Sequence, residues 1–528
     1  MELPSWASFV LAAALFLSAA TTLLLLQRRS GQRGYKRYRL PPGPKPWPVI
    51  GNLHLMGALP HRSIRDLSAR YGPLMQLRFG SIPVVVGSSP EMARLLLQTH
   101  DAALAGRPRT AAGRHTAYDH TDMLWSSYGA HWRRLRRVCL AELFSASRIA
   151  SYETVRHDEV RALLRGLHAA AATSGLGGGG AVVVVVREHL FAATLGMISR
   201  MVLGRKYVEA AGSSSASGII TPEEFTRTMD EFFFLNGALN IGDFVPWLDG
   251  LDLQGYVGRM RRVGATLDVF MERVLDEHVD RRRRADGEGH ASPCMVDVLL
   301  ELADGDRLER DSVKALTLDL IAGGTNTNGV TLEWAISELL RNPKMLARAT
   351  EELDRVVGPD RLVTERDVSD LPYMKAAVKE TMRMHPVGPL LAPHEALEDV
   401  SIGGYDIPSG TRVLVNVWAI ARDGALWDMP EEFRPERFLG KSKIDVVGQD
   451  FELLPFGSGR RMCPGYKLGL KVVHICLANM LHCFVWRLPV IMAAEKLSMD
   501  EIFGLTTSRK IPLEVFIKPK LSSHLYVG

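Results

Sequence analysis

Cys463 lies in the run Pro455-Phe456-Gly457-Ser458-Gly459-Arg460-Arg461-Met462-Cys463-Pro464-Gly465, just ahead of an apolar stretch, Leu468 to Leu481, that reads as a helix. A thiolate there needs stabilising charge, which a buried metal would supply. The glycines leave room for a large flat ligand to approach the backbone, and amides at a helix start can donate to sulfur. The bland alternative is a structural cysteine beside a Gly-rich turn. Glu380 and Arg383, three apart in Leu371 to His385, share a helix face as an ion pair, with Pro386 ending the helix. Pro435-Glu436-Arg437-Phe438 adds a second arginine at a Pro-defined bend, and Trp132 and Arg136, four apart, share another helical face. Ala322-Gly323-Gly324-Thr325-Asn326-Thr327 interrupts a long apolar helix over Leu316 to Leu340. Paired glycines cost helix stability and need a reason. Thr327 can bond back to the Gly323 carbonyl, open the helix and leave a polar notch.

The cysteine run resembles the haem-binding loop of the cytochrome P-450 superfamily, Phe-x-x-Gly-x-Arg-x-Cys-x-Gly, with Phe456, Gly459, Arg461, Cys463 and Gly465 at the fixed positions. The resemblance implies haem b, held through Cys463. It implies a buried triad of Glu380, Arg383 and Arg437 that braces the haem loop. Trp132 and Arg136 match Trp-x-x-x-Arg, whose donors hold a haem propionate, and Arg461 and His394 sit where further propionate donors are placed. Gly323, Gly324 and Thr327 match the oxygen-binding pattern (Ala/Gly)-Gly-x-(Asp/Glu)-Thr. Asn326 departs from it, because an acid is usual there and asparagine carries no proton at neutral pH. Proton delivery would then rest on Thr327 and water.

The elements that position these groups follow the same order along the chain. Leu3 to Gln27 carries no charge and Trp6 to Leu26 is almost wholly apolar, enough for one membrane span. The start, Met1-Glu2, and the length of the span argue for a retained anchor over a cleaved signal. Arg28, Arg29, Arg33, Lys36, Arg37 and Arg39 follow, so the remainder should face the cytosol. This cluster accounts for the +5 net charge, which argues against nucleic-acid binding across the fold. Leu40 to Pro48 is a stiff Pro-rich spacer. The expected organisation is an anchor at 4–27, a hinge at 28–51 and one haem domain at 52–528. Cysteines 139, 294, 463, 476 and 483 are odd in number and scattered, which suits a reducing compartment.

Leu74 to Phe79 and Ile82 to Val86 read as a β-hairpin, and Tyr405 to Val417 as a second strand-like patch. Ala169 to Val186 reads as a loop expansion. Its G-x-G-x-x-G match, Gly175 to Gly180, lacks the strand–turn–helix context of a nucleotide site. Ser213 to Gly218 and Ala285 to Pro293 read as surface loops.

The resemblance covers the chain from anchor to C-terminus. It implies a mainly α, triangular P-450 fold with a small β-region, on the endoplasmic reticulum membrane. It also implies a monooxygenase that takes O2 and electrons from NADPH through a flavoprotein reductase, for which Arg133, Arg134, Arg137, Lys467 and Lys471 would form a docking patch. The phrases Phe451 to Gly457 and Glu501 to Leu505 are similar to plant microsomal A-type members near flavonoid hydroxylases and homoterpene synthases.

By that analogy the pocket draws on Ala111 to Trp125, Phe232 to Leu235, Leu316 to Gly323, Val387 to Ala392 and Leu505 to Thr507. Its aliphatic character favours a lipophilic terpenoid, with oxidative C–C cleavage of a tertiary terpene alcohol to a homoterpene as the expected reaction. Flavonoid or phenolic hydroxylation is the alternative, and fatty-acid hydroxylation a third. Two other classes stay open. A hydroperoxide isomerase or dehydratase would turn over without NADPH, and a non-catalytic haem-binding protein would be indifferent to Thr327→Ala.

Overall fold

The computed structural model describes residues 38–173, 183–207, 221–284, 294–305, 308–440, 442–489 and 493–527. The expected anchor, most of the basic cluster, Gly175 to Gly180 and the loops Ser213 to Gly218 and Ala285 to Pro293 lie outside the described residues. Among the described residues no helix is long and apolar enough to cross a membrane.

The helices that build the site are α1 (Ala130–Val138), α2 (Glu153–Thr173), α3 (Val186–Leu203), α4 (Pro222–Gly237), α5 (Tyr256–Arg284), α6 (Arg310–Arg341), α7 (Pro372–Met384) and α8 (Tyr466–Cys483). α6 buries residues on every face, as a helix through the middle of a core must. It packs against α3, α7 and α8. α1 is amphipathic: Trp132, Leu135 and Val138 are buried while Arg133, Arg134 and Arg137 face outward. α7 starts at Pro372, whose missing N–H costs nothing in the first turn, and ends at His385 ahead of Pro386. His385 then stacks on Trp334 of α6 with 4.0 Å between ring centroids and bonds Glu338 at 2.7 Å.

One four-stranded sheet forms a small layer with apolar clusters of its own. β1 (Leu74–Phe79) and β2 (Ile82–Gly87) make the expected hairpin, turning at Gly80 with φ of 57°. β3 (His394–Glu395) and β4 (Arg412–Val415) complete the sheet in the order β1-β2-β4-β3, with β2 and β4 parallel.

Three expectations need correction. The patch Tyr405 to Val417 is two strands, Tyr405–Ile407 and β4, split by a turn at Gly410 whose φ is 78°, and Val417 opens a short helix. The alanines of the supposed loop expansion continue α2. Val184–Val185 pair with the strand Glu514–Pro519, and Val186 begins α3. Finally, α6 runs unbroken through Gly323 and Gly324, so the threonine bond does not open the helix.

Candidate active site

The cysteine loop is shaped by glycine. Gly457 and Gly459 have φ of 68° and 66°, and a Cβ on Gly459 would fall 1.8 Å from the Leu97 carbonyl oxygen. Only glycine fits so close an approach in the left-handed region. The Cys463 amide donates to Phe456 O at 3.0 Å and closes the loop, and Gly465 leads into α8. Burial raises the Cys463 thiol, while the Gly465 amide and the Arg136 charge pull it down. Cys463 lines a cavity of about 420 Å³.

One wall of this cavity is cationic. Arg461 donates to Ala105 O at 2.7 Å and Ser126 O at 2.6 Å, and lies 4.3 Å over the Trp132 ring. Arg136 donates to Met462 O at 2.6 Å and Trp132 Nε1 to Met123 O at 3.2 Å. His394 uses Nδ1 on Leu104 O at 2.9 Å, which leaves Nε2 for a ligand. Burial, reinforced by Arg107 and Arg461, holds the His394 pKa well below its ordinary value. Arg107 belongs to the same wall, donating to Leu124 O at 2.9 Å and Pro393 O at 2.7 Å. Sequence reasoning missed it, since nothing in Gly106-Arg107-Pro108 announces a partner.

These cations are short of anions. Burial, with Arg107 and Arg136, pushes Arg461 down to about 8, and the acid whose charge opposes this is Asp122. Arg107 is brought to about 10 by burial, again opposed by Asp122. Cations so crowded are relieved by an added dianion, and haem brings two propionates. A thiol below, a cationic wall beside and an apolar space above fit that group. Arg136, Arg461 and Arg107 would hold its carboxylates, whereas the Trp132 N–H is already given to Met123 O and neutral His394, with its N–H on Leu104 O, presents an acceptor at Nε2.

On the opposite wall, Thr327 donates to Gly323 O at 2.6 Å. A Cβ on Gly323 would meet nothing within 4 Å, so this glycine keeps the cavity open. One on Gly324 would fall 2.4 Å from Ile198 Cδ1, so that glycine admits α3. Asn326 accepts from the Thr506 hydroxyl at 2.9 Å and thereby ties α6 to the loop over Leu505–Thr507. Met123, Leu124, Phe232, Phe233, Leu316 and Leu320 line the cavity, as do Val387, Leu391 and Leu505. Leu390 and Trp125 line a neighbouring cavity of about 130 Å³ instead. α3 contributes Met197, Ile198 and Met201, which the sequence did not single out.

Glu380 and Arg383, both fully buried, form a two-point pair at 2.7 and 2.9 Å, and Arg437 Nε reaches Glu380 Oε1 at 3.0 Å. Arg383 also donates to the carbonyls of Ala421 at 2.6 Å and Pro430 at 2.8 Å. The triad locks α7 to the turn Pro435–Phe438, and α7 packs on α8 behind the cysteine loop.

The sequence pattern of the family described as Cytochrome P450 matches residues 41–511. This chain belongs to the cytochrome P450 family. It is 51% identical to a trimethyltridecatetraene synthase of Zea mays over 96% of this chain and 93% of that protein. A dimethylnonatriene synthase of Zea mays is 49% identical, over 100% and 99%. A flavonoid 3'-monooxygenase of Petunia hybrida is 42% identical, over 93% and 95%. A solved zebra fish cytochrome P450, in a structure with abiraterone, superposes with a TM-score of 0.71 at 26% identity, over 88% of this chain and 100% of that one. As a cytochrome P450 the protein is a monooxygenase with a thiolate-ligated haem, using dioxygen and electrons from a reductase.

Proposed function

We propose that this cytochrome P450 cleaves a tertiary terpene alcohol, such as nerolidol or geranyllinalool, to a homoterpene. The aliphatic lining, from Leu316 and Leu320 to Val387, Leu391 and Leu505, carries the reading. Away from the cationic wall the lining is mainly apolar, which suits a flexible hydrocarbon better than a polyhydroxylated ring. Two relatives at about half identity bear homoterpene-synthase names, which supports the same reading.

In this reading Cys463 would hold the haem iron through its thiolate. Haem, once bound, supplies oxidising power, because a thiolate ligand favours O–O cleavage. The chain supplies the rest. Arg136, Arg461 and Arg107 would anchor and neutralise the propionates, with Trp132 and His394 packed beside them. Thr327, beside Gly323 and Gly324, would present a hydroxyl to the cavity, and Asn326 would orient a water or the Leu505–Thr507 wall without delivering a proton itself. An N-terminal anchor at 4–27 would hold the domain, 52–528, on the cytosolic face of the endoplasmic reticulum. Arg133, Arg134, Arg137, Lys467 and Lys471, all exposed, would meet an acidic NADPH-dependent flavoprotein reductase.

Flavonoid ring hydroxylation is the second reading, favoured by the 42% identical flavonoid 3'-monooxygenase. Microsomes carrying this chain with a plant reductase and NADPH, offered nerolidol, geranyllinalool and naringenin, separate the two. A shortened volatile alkene supports C–C cleavage. A flavonoid gaining one oxygen overturns it in favour of ring hydroxylation.

A further inference from the structure

Two acids meet where α6 passes the segment ahead of α1. The amide of Met123, the residue next to Asp122, donates to Asp319 at 2.6 Å and so brings the two acids together, Asp122 being 3% exposed and Asp319 bordering the cavity. Two carboxyls can bond each other only with at least one proton between them, since a doubly ionised buried pair repels itself. Burial raises both above the ordinary carboxylate range. The charged or titratable groups facing them are Arg107 and Arg461 towards Asp122, and Cys139 towards Asp319. The arginines' hydrogen bonds go to backbone carbonyls, so the acids are not held as salt-bridge partners.

The pair instead grips backbone. The Met123 amide donates to Asp319 at 2.6 Å and the Trp125 amide to Asp122 at 2.7 Å. From the same few residues the carbonyls run outward to the cationic wall. Met123 O accepts from Trp132 at 3.2 Å, Leu124 O from Arg107 at 2.9 Å and Ser126 O from Arg461 at 2.6 Å. Residues 122–126 are thus a strap with α6 on one side and the haem-carboxylate donors on the other.

We propose that Asp122 and Asp319, sharing a proton, are positioning residues for the monooxygenase: they fix the 122–126 strap and, through it, Trp132, Arg107, Arg461 and the Met123–Leu124 part of the cavity wall. The proton is essential to the device because it turns a repulsive pair into a neutral or singly charged clamp. The role is independent of which substrate the cavity takes.

The test compares the haem-loaded full chain with D122N/D319N and with Asp319→Ala. The readouts are the exchange rates of the Met123 and Trp125 amides and the rate at which haem passes to apomyoglobin. The double amide keeps a donor, the acceptors and no charge, so its protection and haem release should stay within about twofold of the parent. Asp319→Ala should release haem about tenfold faster, the scale expected when a buried donor loses its acceptor. A double variant as leaky as Asp319→Ala would overturn the proposal, because negative charge rather than a shared proton would then be what matters. Infrared difference spectra of parent minus double variant at pH 8 give a second check that stands even if Asp319→Ala does not fold. A protonated-carboxyl band in the parent is expected, and carboxylate bands alone would overturn the shared proton.

Discussion

Asn326 shows how one side chain can leave a pattern without emptying the position. Its Oδ1 holds the Thr506 hydroxyl at 2.9 Å, so the residue that cannot relay a proton tethers the Leu505–Thr507 wall to α6. A carboxylate accepts the same bond, so Asn326→Asp should leave the spectral dissociation constant of nerolidol within about twofold. Thr506→Val should remove the tether and weaken nerolidol about fivefold, the size of one neutral hydrogen bond. Equal effects from both substitutions would show that the tether does not shape the pocket. For Cys463 the expectation is starker. Cys463→Ser removes the thiolate, and the carbon monoxide complex should lose its long-wavelength band together with NADPH-dependent turnover. The cysteine was legible because its neighbours are fixed by local geometry: Gly459 can be nothing larger against Leu97. Arg107 and Asp319 were not legible, because their meaning comes from partners far along the chain. Arg107 reaches Ala392, 285 residues on, and Asp319 reaches back 196 residues to Met123.

Along α6 the sequence period foretells a buried helix with two glycines, yet it cannot separate their duties, since every face of this helix is covered. Packing separates them. Gly323 borders open space and Gly324 lies against Ile198 of α3. Gly324→Ala should therefore drive Ile198 from its packed rotamer and destabilise the fold by about 1–3 kcal/mol, read as a lower melting temperature. Gly323→Ala meets no atom and gains helix propensity of about 1 kcal/mol, so it should melt no earlier than the parent. Its cost should fall on substrate turnover, because the new methyl enters the cavity. If the two variants lost stability equally, the assignment of faces would be wrong. The same limit explains the unbroken helix at Thr327. A threonine bond to the residue four back was readable from spacing, whereas the pressure of α3 and α8 that keeps α6 intact was not.

At the scale of the whole chain, a buried carboxylate joins segments far apart in sequence. Glu501, near the C-terminus, bonds His61 at 3.1 Å and Arg62 at 2.8 Å, both more than 430 residues earlier. Those residues open the helix Pro60–Tyr71, beside the sheet and the second cavity. Burial alone would raise the Glu501 pKa, but His61 and Arg62 outweigh it and bring it to about 2. A depressed acid stabilises the fold at any pH above its unfolded value. That stabilisation fades as pH falls through the window between the unfolded and folded values, here from about 4.5 towards about 2. Glu501→Gln should therefore cost on the order of 2 kcal/mol near neutral pH, because the amide keeps the shape but loses the charge that His61 and Arg62 favour. The deficit against the parent should be constant from pH 7 down to about 5 and then shrink steadily, as the parent loses its advantage. Denaturant titrations of both proteins across that range check this. A deficit that grew on acidification would mean that Glu501 is held as the neutral acid, and that these segments are joined by packing rather than by charge.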